Sequence, residues 1–108
     1  MIFICSPYAG DTLNNIRRAQ NYSRAAAGQG VTPIAPHLLF PQFLHDNVPA
    51  GRATGIRMGM ELLDLCSEVW VFGDPTPGMK EEIHYAQEHN IPIRFFPAED
   101  TDQTRSTT

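Results

Sequence analysis

Glu82 is the side chain in this sequence best set up for chemistry. It lies in the stretch Val69 to Ala86, VWVFGDPTPGMKEEIHYA, which reads as a buried strand (Val69 to Phe72), a Gly/Asp/Pro turn and an amphipathic helix. Gly78, Glu82 and Ala86 follow one another at intervals of four, so they form one row on that helix. A ligand can approach the backbone closely at Gly78 and meet the carboxylate one turn later. Near a pocket roofed by apolar residues, such a carboxylate could attack a sugar carbon or stabilise an oxocarbenium ion. Glu81 points about 100° away around the helix and reads as the solvated member of the pair.

A second group of candidates follows the amino-terminal apolar run, in the turn SPYAGD. Tyr8 has a hydroxyl that could orient a carboxylate or touch a sugar, or the ring could simply half-pack on the turn. Ser6 opens the same turn and counts with the ligand contacts. Gly10 serves the turn and permits close backbone approach, whereas Asp11 reads better as a helix cap than as a ligand contact. Ahead of the Glu82 helix, Thr76 is placed to cap, with Pro77 at the first helical position. The free N–H groups there would also suit a phosphate or a ribose hydroxyl. Asp74 either binds sugar hydroxyls or makes a side-chain turn before Pro75. Met79 belongs both to the inner stripe of the helix and to the wall of the pocket.

Four strands alternating with helices position these residues. Met1 to Cys5 (MIFIC) is a continuous apolar run ended by Ser-Pro, a strand buried on both faces. A helix follows, with Leu13, Ile16, Ala19 and Tyr22 inward, Arg17, Arg18 and Arg24 outward, and Gly28 and Gly30 at its end. Val31 to Ala35 is a second strand, which Pro33 confines to a short or edge position. From Pro36 to Thr54 the pattern is irregular and broken by Pro36, Pro41 and Pro49, yet Leu38, Leu39, Phe40, Phe43 and Leu44 are too apolar for a free linker. That excursion is expected to pack, with a helical turn or two, as a cover over the site.

Gly55 to Cys66 reads as another core-facing helix, and Ile91 to Phe96 as the fourth strand after Asn90 ends the Glu82 helix. Residues 1–97 thus make one α/β domain. The expected fold is three-layered and flavodoxin-like or Rossmann-like, a mostly parallel four-stranded sheet of order 2-1-3-4 with helices on both faces. In that order the turns SPYAGD and GDPTPG lie side by side at the carboxyl ends of the two central strands, where such sheets bind ligands. The tail, residues 98–108, is polar and aperiodic and is expected to be disordered. No internal repeat is visible.

His37, His45, Asp46 and Arg52 occupy the excursion. Their spacing matches no strong ligand motif and the cysteines are distant in the chain, so neither a metal nor a cofactor is expected. Arg52 or Arg57 could contact a phosphate or serve as a surface ion-pair partner. Trp70, inside a strand, reads as core. No P-loop, GxGxxG or GxSxG sequence is present.

The 108 residues suffice for one domain with a real core, and 42% hydrophobic with 19% charged residues predicts folding. A net charge of -4 and scattered Lys/Arg argue against nucleic acid or an anionic membrane as partner. Cys5 and Cys66 read as buried thiols of a reducing compartment. No signal peptide and no apolar run long enough to span a membrane is visible, so a soluble cytoplasmic protein is expected.

The first strand ending in S-P-Y-A-G, and the pattern G-x-x-x-E-x-x-x-A (Gly78, Glu82, Ala86) after a W-V-F-G strand, resemble the nucleoside 2-deoxyribosyltransferase superfamily. More narrowly, PHLLFPQFL, GIRMGMELL and VWVFG resemble small phage and bacterial proteins labelled DUF4406 or DUF7768, over about residues 1 to 96. The resemblance implies cleavage of the N-glycosidic bond of a nucleoside or nucleotide by a glutamate nucleophile. A covalent deoxyribosyl-enzyme would then be resolved by another base or by water. Glu82 falls on the nucleophile, Tyr8 near the tyrosine that orients it, and Gly10 on the first-strand turn. Thr76 stands where transferases carry an aspartate and nucleotide hydrolases a serine.

The chain departs from the superfamily where an acidic residue before the central strand would bind the base or donate a proton. It reads Met58, Gly59, Met60 there, and the nearby Glu61 and Asp64 do not match in register. His37 or Asp46 could substitute, or the protein could be a non-catalytic module that captures a nucleotide in the same pocket. Relatives complete their pockets across subunit contacts, which implies a homo-oligomer.

Overall fold

Alternation along the strands decides which helix each side chain meets. The computed structural model describes residues 1–45 and 47–99; Asp46 and the polar tail from residue 100 lie outside the described residues. Within it, β1 (Ile2–Cys5), β2 (Pro33–Ile34), β3 (Glu68–Phe72) and β4 (Ile93–Phe96) form one sheet of order β2-β1-β3-β4. Every pairing is parallel. Ile2 to Cys5 run beside Glu68 to Val71, and Val69 to Phe72 beside Ile93 to Phe96. The helices are α1 (Thr12–Gly28), α2 (Pro36–Leu39), α3 (Pro49–Asp64) and α4 (Pro77–Glu88), with a 3-10 turn over Phe40–Gln42. This is the α/β architecture and strand order that the sequence predicts.

Ile2 and Ile4 of β1, with Trp70 and Phe72 of β3, pack with Tyr22 and Ala26 of α1. Phe3 and Cys5, with Val69 and Val71, face the other way, onto Leu63 of α3 and Met79 and Ala86 of α4. The parity of β1 therefore sends Cys5, not its neighbours, toward the helix that carries Glu82. The α1 side is closed by an aromatic stack in which Tyr22 lies 4.1 Å from Phe72, and Phe72 5.0 Å from Phe96.

Several local expectations are corrected. The buried stripe of α1 is Asn15, Ala19, Tyr22 and Ala26, and Leu13 is 80% exposed. Alanines at two of these four positions let the helix lie close to the sheet, and the phase they impose turns Leu13 out. Asp11 stands at the N-cap position, but its carboxylate accepts from the Asn14 side chain at 2.7 Å instead of capping backbone. Pro49, read as an interruption, is the first residue of α3, so that helix starts six residues earlier than its apolar period implies. A proline is at home there, because its fixed φ is helical and the N–H it lacks would have had no intrahelical partner. β2 shortens to Pro33 and Ile34, and β4 begins at Ile93. Glu99, placed in the fraying tail by its composition, is tethered: its N–H donates to Tyr22 Oη at 2.8 Å and its carboxylate accepts from Asn21 at 2.7 Å. Among the described residues, no helix is long and apolar enough to cross a membrane.

Candidate active site

The carboxyl ends of β1 and β3 open side by side into a cavity of about 630 Å³. That volume lies within the range of small-molecule pockets. Its walls come from the turn after β1 (Ser6, Tyr8, Gly10), from α2 and the residues that follow (His37, Phe40, Leu44), from α3 (Arg52, Gly55, Gly59, Met60) and from the start of α4 (Thr76, Gly78, Met79, Glu82). The irregular excursion thus covers the site as its apolar content implies, although its last six residues are the first part of α3.

Of the residues singled out from sequence, Ser6, Tyr8, Gly10, His37, Arg52, Thr76, Gly78, Met79 and Glu82 all line this one cavity. Asp74 does not; it is exposed in the turn after β3, next to Gly73 at φ +81°. Asp46 lies outside the described residues. Among the described residues, no group of three or more His, Cys, Asp or Glu side chains is placed to hold a metal ion.

Thr76 caps α4 as its position predicts, accepting from the Met79 N–H at 3.3 Å, and Pro77 follows at the first position. The helix then delivers Glu82 one turn beyond Gly78. Glu82 is half-buried, and its Oε1 accepts a hydrogen bond from the Cys5 thiol at 3.2 Å. Burial pushes the Glu82 carboxyl up to about 7; the thiol hydrogen bond works against that rise and the neighbouring charge of Glu81 adds to it. Cys5 is fully buried, and burial, reinforced by the Glu82 charge, pushes its thiol far above the ordinary range. The thiol is therefore a neutral donor at any physiological pH.

Tyr8, which the resemblance places near the tyrosine that orients the nucleophile, stacks its ring on His37, with centroids 4.9 Å apart. Both rings line the cavity. Ser6 is 1% exposed, and its Oγ has no hydrogen-bond partner among the described residues. A buried hydroxyl left in that state costs free energy unless something in the cavity satisfies it. Beyond Arg52 the α3 wall of the cavity is apolar, at Gly55, Ile56, Gly59 and Met60, and the acids of that helix are engaged elsewhere. Glu61 pairs with Arg57 at 2.6 Å and Asp64 accepts from Tyr85 Oη at 2.8 Å.

Two contributors were not picked out from sequence. Cys5 was read as core packing only, although the parity of β1 already points it at α4. Asn15 was passed over as a polar residue on a helix. It sits one turn before Ala19 on the buried stripe of α1, and its amide donates to the carbonyls of Tyr8 and Ala9 at 3.0 and 3.2 Å. It thereby fixes the turn, whose Gly10 has φ +93°. Asn15→Ala leaves both carbonyls without their donor, and is expected to cost about 1–3 kcal/mol. Denaturant midpoints measure this; a loss below about 0.5 kcal/mol, the size of a neutral surface change, would mean that the turn holds itself.

The family model of a domain of unknown function, DUF7768, matches residues 1–96. Among solved structures, the chain is similar to a 2-deoxyribosyltransferase from the psychrotolerant bacterium Bacillus psychrosaccharolyticus. The TM-score is 0.69 at 16% identity, over 89% of this chain and 71% of that one. At that identity the likeness establishes a common fold. No curated protein matches the chain in sequence.

Proposed function

The chain belongs to the DUF7768 family, and from the cavity its residues line we propose that it cleaves the N-glycosidic bond of a nucleoside or nucleotide, with Glu82 as nucleophile. The observation that carries this reading is the Glu82 carboxylate, held by the Cys5 thiol at the end of β1 and lining, with Glu81 beside it, a cavity of ligand size. The fold shared with a 2-deoxyribosyltransferase supports it. In this reading Glu82 attacks the anomeric carbon, the base leaves with the bonding electrons of the C–N bond, and water or a second base resolves the glycosyl-enzyme. The sugar lies against Ser6, Tyr8 and Thr76, and the flat base against the apolar α3 wall at Gly55, Gly59 and Met60. In this reading His37, which lines the cavity, protonates the departing base, and Arg52 meets a phosphate.

A carboxylate must be ionised to attack. With Glu82 titrating near 7, kcat/KM is expected to have a rising limb through that value, followed by a falling limb where the group that protonates the base loses its proton. Incubation with each deoxynucleoside, each deoxynucleotide and NAD, followed by chromatography of released base, tests the reaction. A profile with no rising limb, and a falling limb near pH 7 that Glu82→Gln removes, would instead assign Glu82 the role of an acid.

One observation favours a second reading, a module that captures a nucleotide without cleaving it. Both acids nearest the α3 wall are tied into other contacts, Glu61 with Arg57 and Asp64 with Tyr85, so that wall offers the base no proton. Tight binding that returns the ligand intact after denaturation, and that survives Glu82→Gln, is the result expected of such a module.

A further inference from the structure

Cys5 has no part in the reaction as set out above, yet it supplies the hydrogen bond that the Glu82 carboxylate accepts. We infer that Cys5 is a positioning residue for Glu82: its thiol donates to Oε1, fixes the carboxylate at the end of β1 and leaves Oε2 as the oxygen that faces a ligand. This inference deepens the glycosidase reading and rests on it for its place in catalysis.

Packing alone gives no reason for sulfur at this position. Cys5 is wholly buried in a parallel strand among Phe3, Val69 and Val71, where an aliphatic side chain would fill the same space. The other acceptor near the thiol, the Met79 carbonyl, is distant at 3.9 Å. Cys66 turns its own thiol to the Leu62 carbonyl at 3.3 Å, and both cysteines are free, so no disulfide accounts for Cys5. What the sulfur supplies is a proton donor that stays neutral and reaches an anion from the floor of the sheet.

The strength of that donor also matters. A donor to the charged form lowers a carboxyl's pKa, and a thiol is a weaker donor than a hydroxyl. Cys5 thus holds the carboxylate without returning it to ordinary acidity. The other charged or titratable groups that bear on Glu82 are Glu81 on its own helix, which opposes ionisation, and Tyr8, His37 and Arg52, which line the same cavity from the β1 turn, α2 and α3. Cys5 is the group that faces it from the sheet.

The test is a titration of the Glu82 carboxyl by ¹³C NMR on glutamate-labelled protein, with Glu82→Gln to assign the resonance. It is run on wild type, Cys5→Ser and Cys5→Ala. Serine keeps a donor, and a stronger one, so it should titrate below wild type. Alanine removes it and should titrate about half a pH unit or more above. The rising limb of kcat/KM should move with it, so that at pH 6 Cys5→Ala is about threefold or more slower than wild type. Melting curves and near-ultraviolet circular dichroism establish that each variant is folded, and should alanine not fold, serine against wild type decides. Coincident titrations, or a serine variant that tracks alanine, overturn the inference. Because the titration needs no substrate, failure of all three proteins to release base would condemn the reaction and leave the thiol's hold on Glu82 to be judged separately.

Discussion

Glu82→Gln is expected to abolish base release and, in the same protein, to raise stability at pH 8. The loss of activity should be roughly 10³-fold or more, the scale seen when a nucleophile is removed from a working site. The gain in stability follows from linkage. An unfolded glutamate titrates near 4.5 and Glu82 near 7, so between those values the folded state holds a proton that the unfolded state has released. Stability therefore falls as pH rises through that window and stays depressed above it. Glutamine carries no such cost. Two and a half pH units correspond to about 3 kcal/mol at most, and partial exposure of the side chain brings the expected gain to about 1–3 kcal/mol at pH 8, vanishing below pH 4.5. Chemical denaturation at the two pH values measures it. A Glu82→Gln variant that releases base within tenfold of wild type would falsify the nucleophile assignment; equal stability at pH 8 would show the carboxyl to be hydrated.

Gly59 gives the second large effect. It is buried in the middle of α3 and lines the cavity, yet a methyl group built there meets no atom within 4 Å apart from the adjoining residues and backbone of its own helix. A glycine inside a helix costs roughly 0.5–1 kcal/mol relative to alanine, and neighbouring side chains give no reason for that sacrifice. The space it leaves belongs to the cavity. Gly59→Ala should thus stabilise the fold by about 0.5–1 kcal/mol while weakening ligand binding about tenfold. Gly59→Leu should block binding outright, because its branched end would occupy the space a ligand needs. Calorimetric titration with a deoxynucleoside monophosphate, beside thermal melts, reads both effects. A Gly59→Leu protein that binds as wild type does would move the ligand to another wall. Gly78, which also faces open space across the cavity, is expected to behave in the same direction.

Much of this was legible before any coordinates, and what was not has physical causes. Strand order and handedness follow from alternating strands and helices, because parallel crossovers leave few topologies. The convergence of SPYAGD and GDPTPG follows from that order. The junction carrying Glu82 was readable because Thr76, Pro77 and the row from Gly78 to Ala86 agree with one another. The inner face of α1 was misjudged because Leu13 outweighs alanine on any hydrophobic scale, whereas close packing on the sheet prefers Ala19 and Ala26. Asn15 escaped notice because its value lies in two backbone carbonyls that only the folded turn brings to it. Cys5 was half legible: strand parity gives its direction, but nothing local says that the atom it meets is a carboxylate.

The thiol and the carboxylate that meet at the head of β1 stand 77 positions apart, with α1, β2 and α3 made in between. On a ribosome the chain therefore emerges with its first strand flanked by an empty place, which the later β3 must fill. No fragment short of that insertion brings the two groups together, so the nascent polypeptide passes through synthesis without a half-built site. Long-range parallel pairing of this kind is slow to form, and the waiting apolar edge of β1 is the surface that chaperones or self-association would find first.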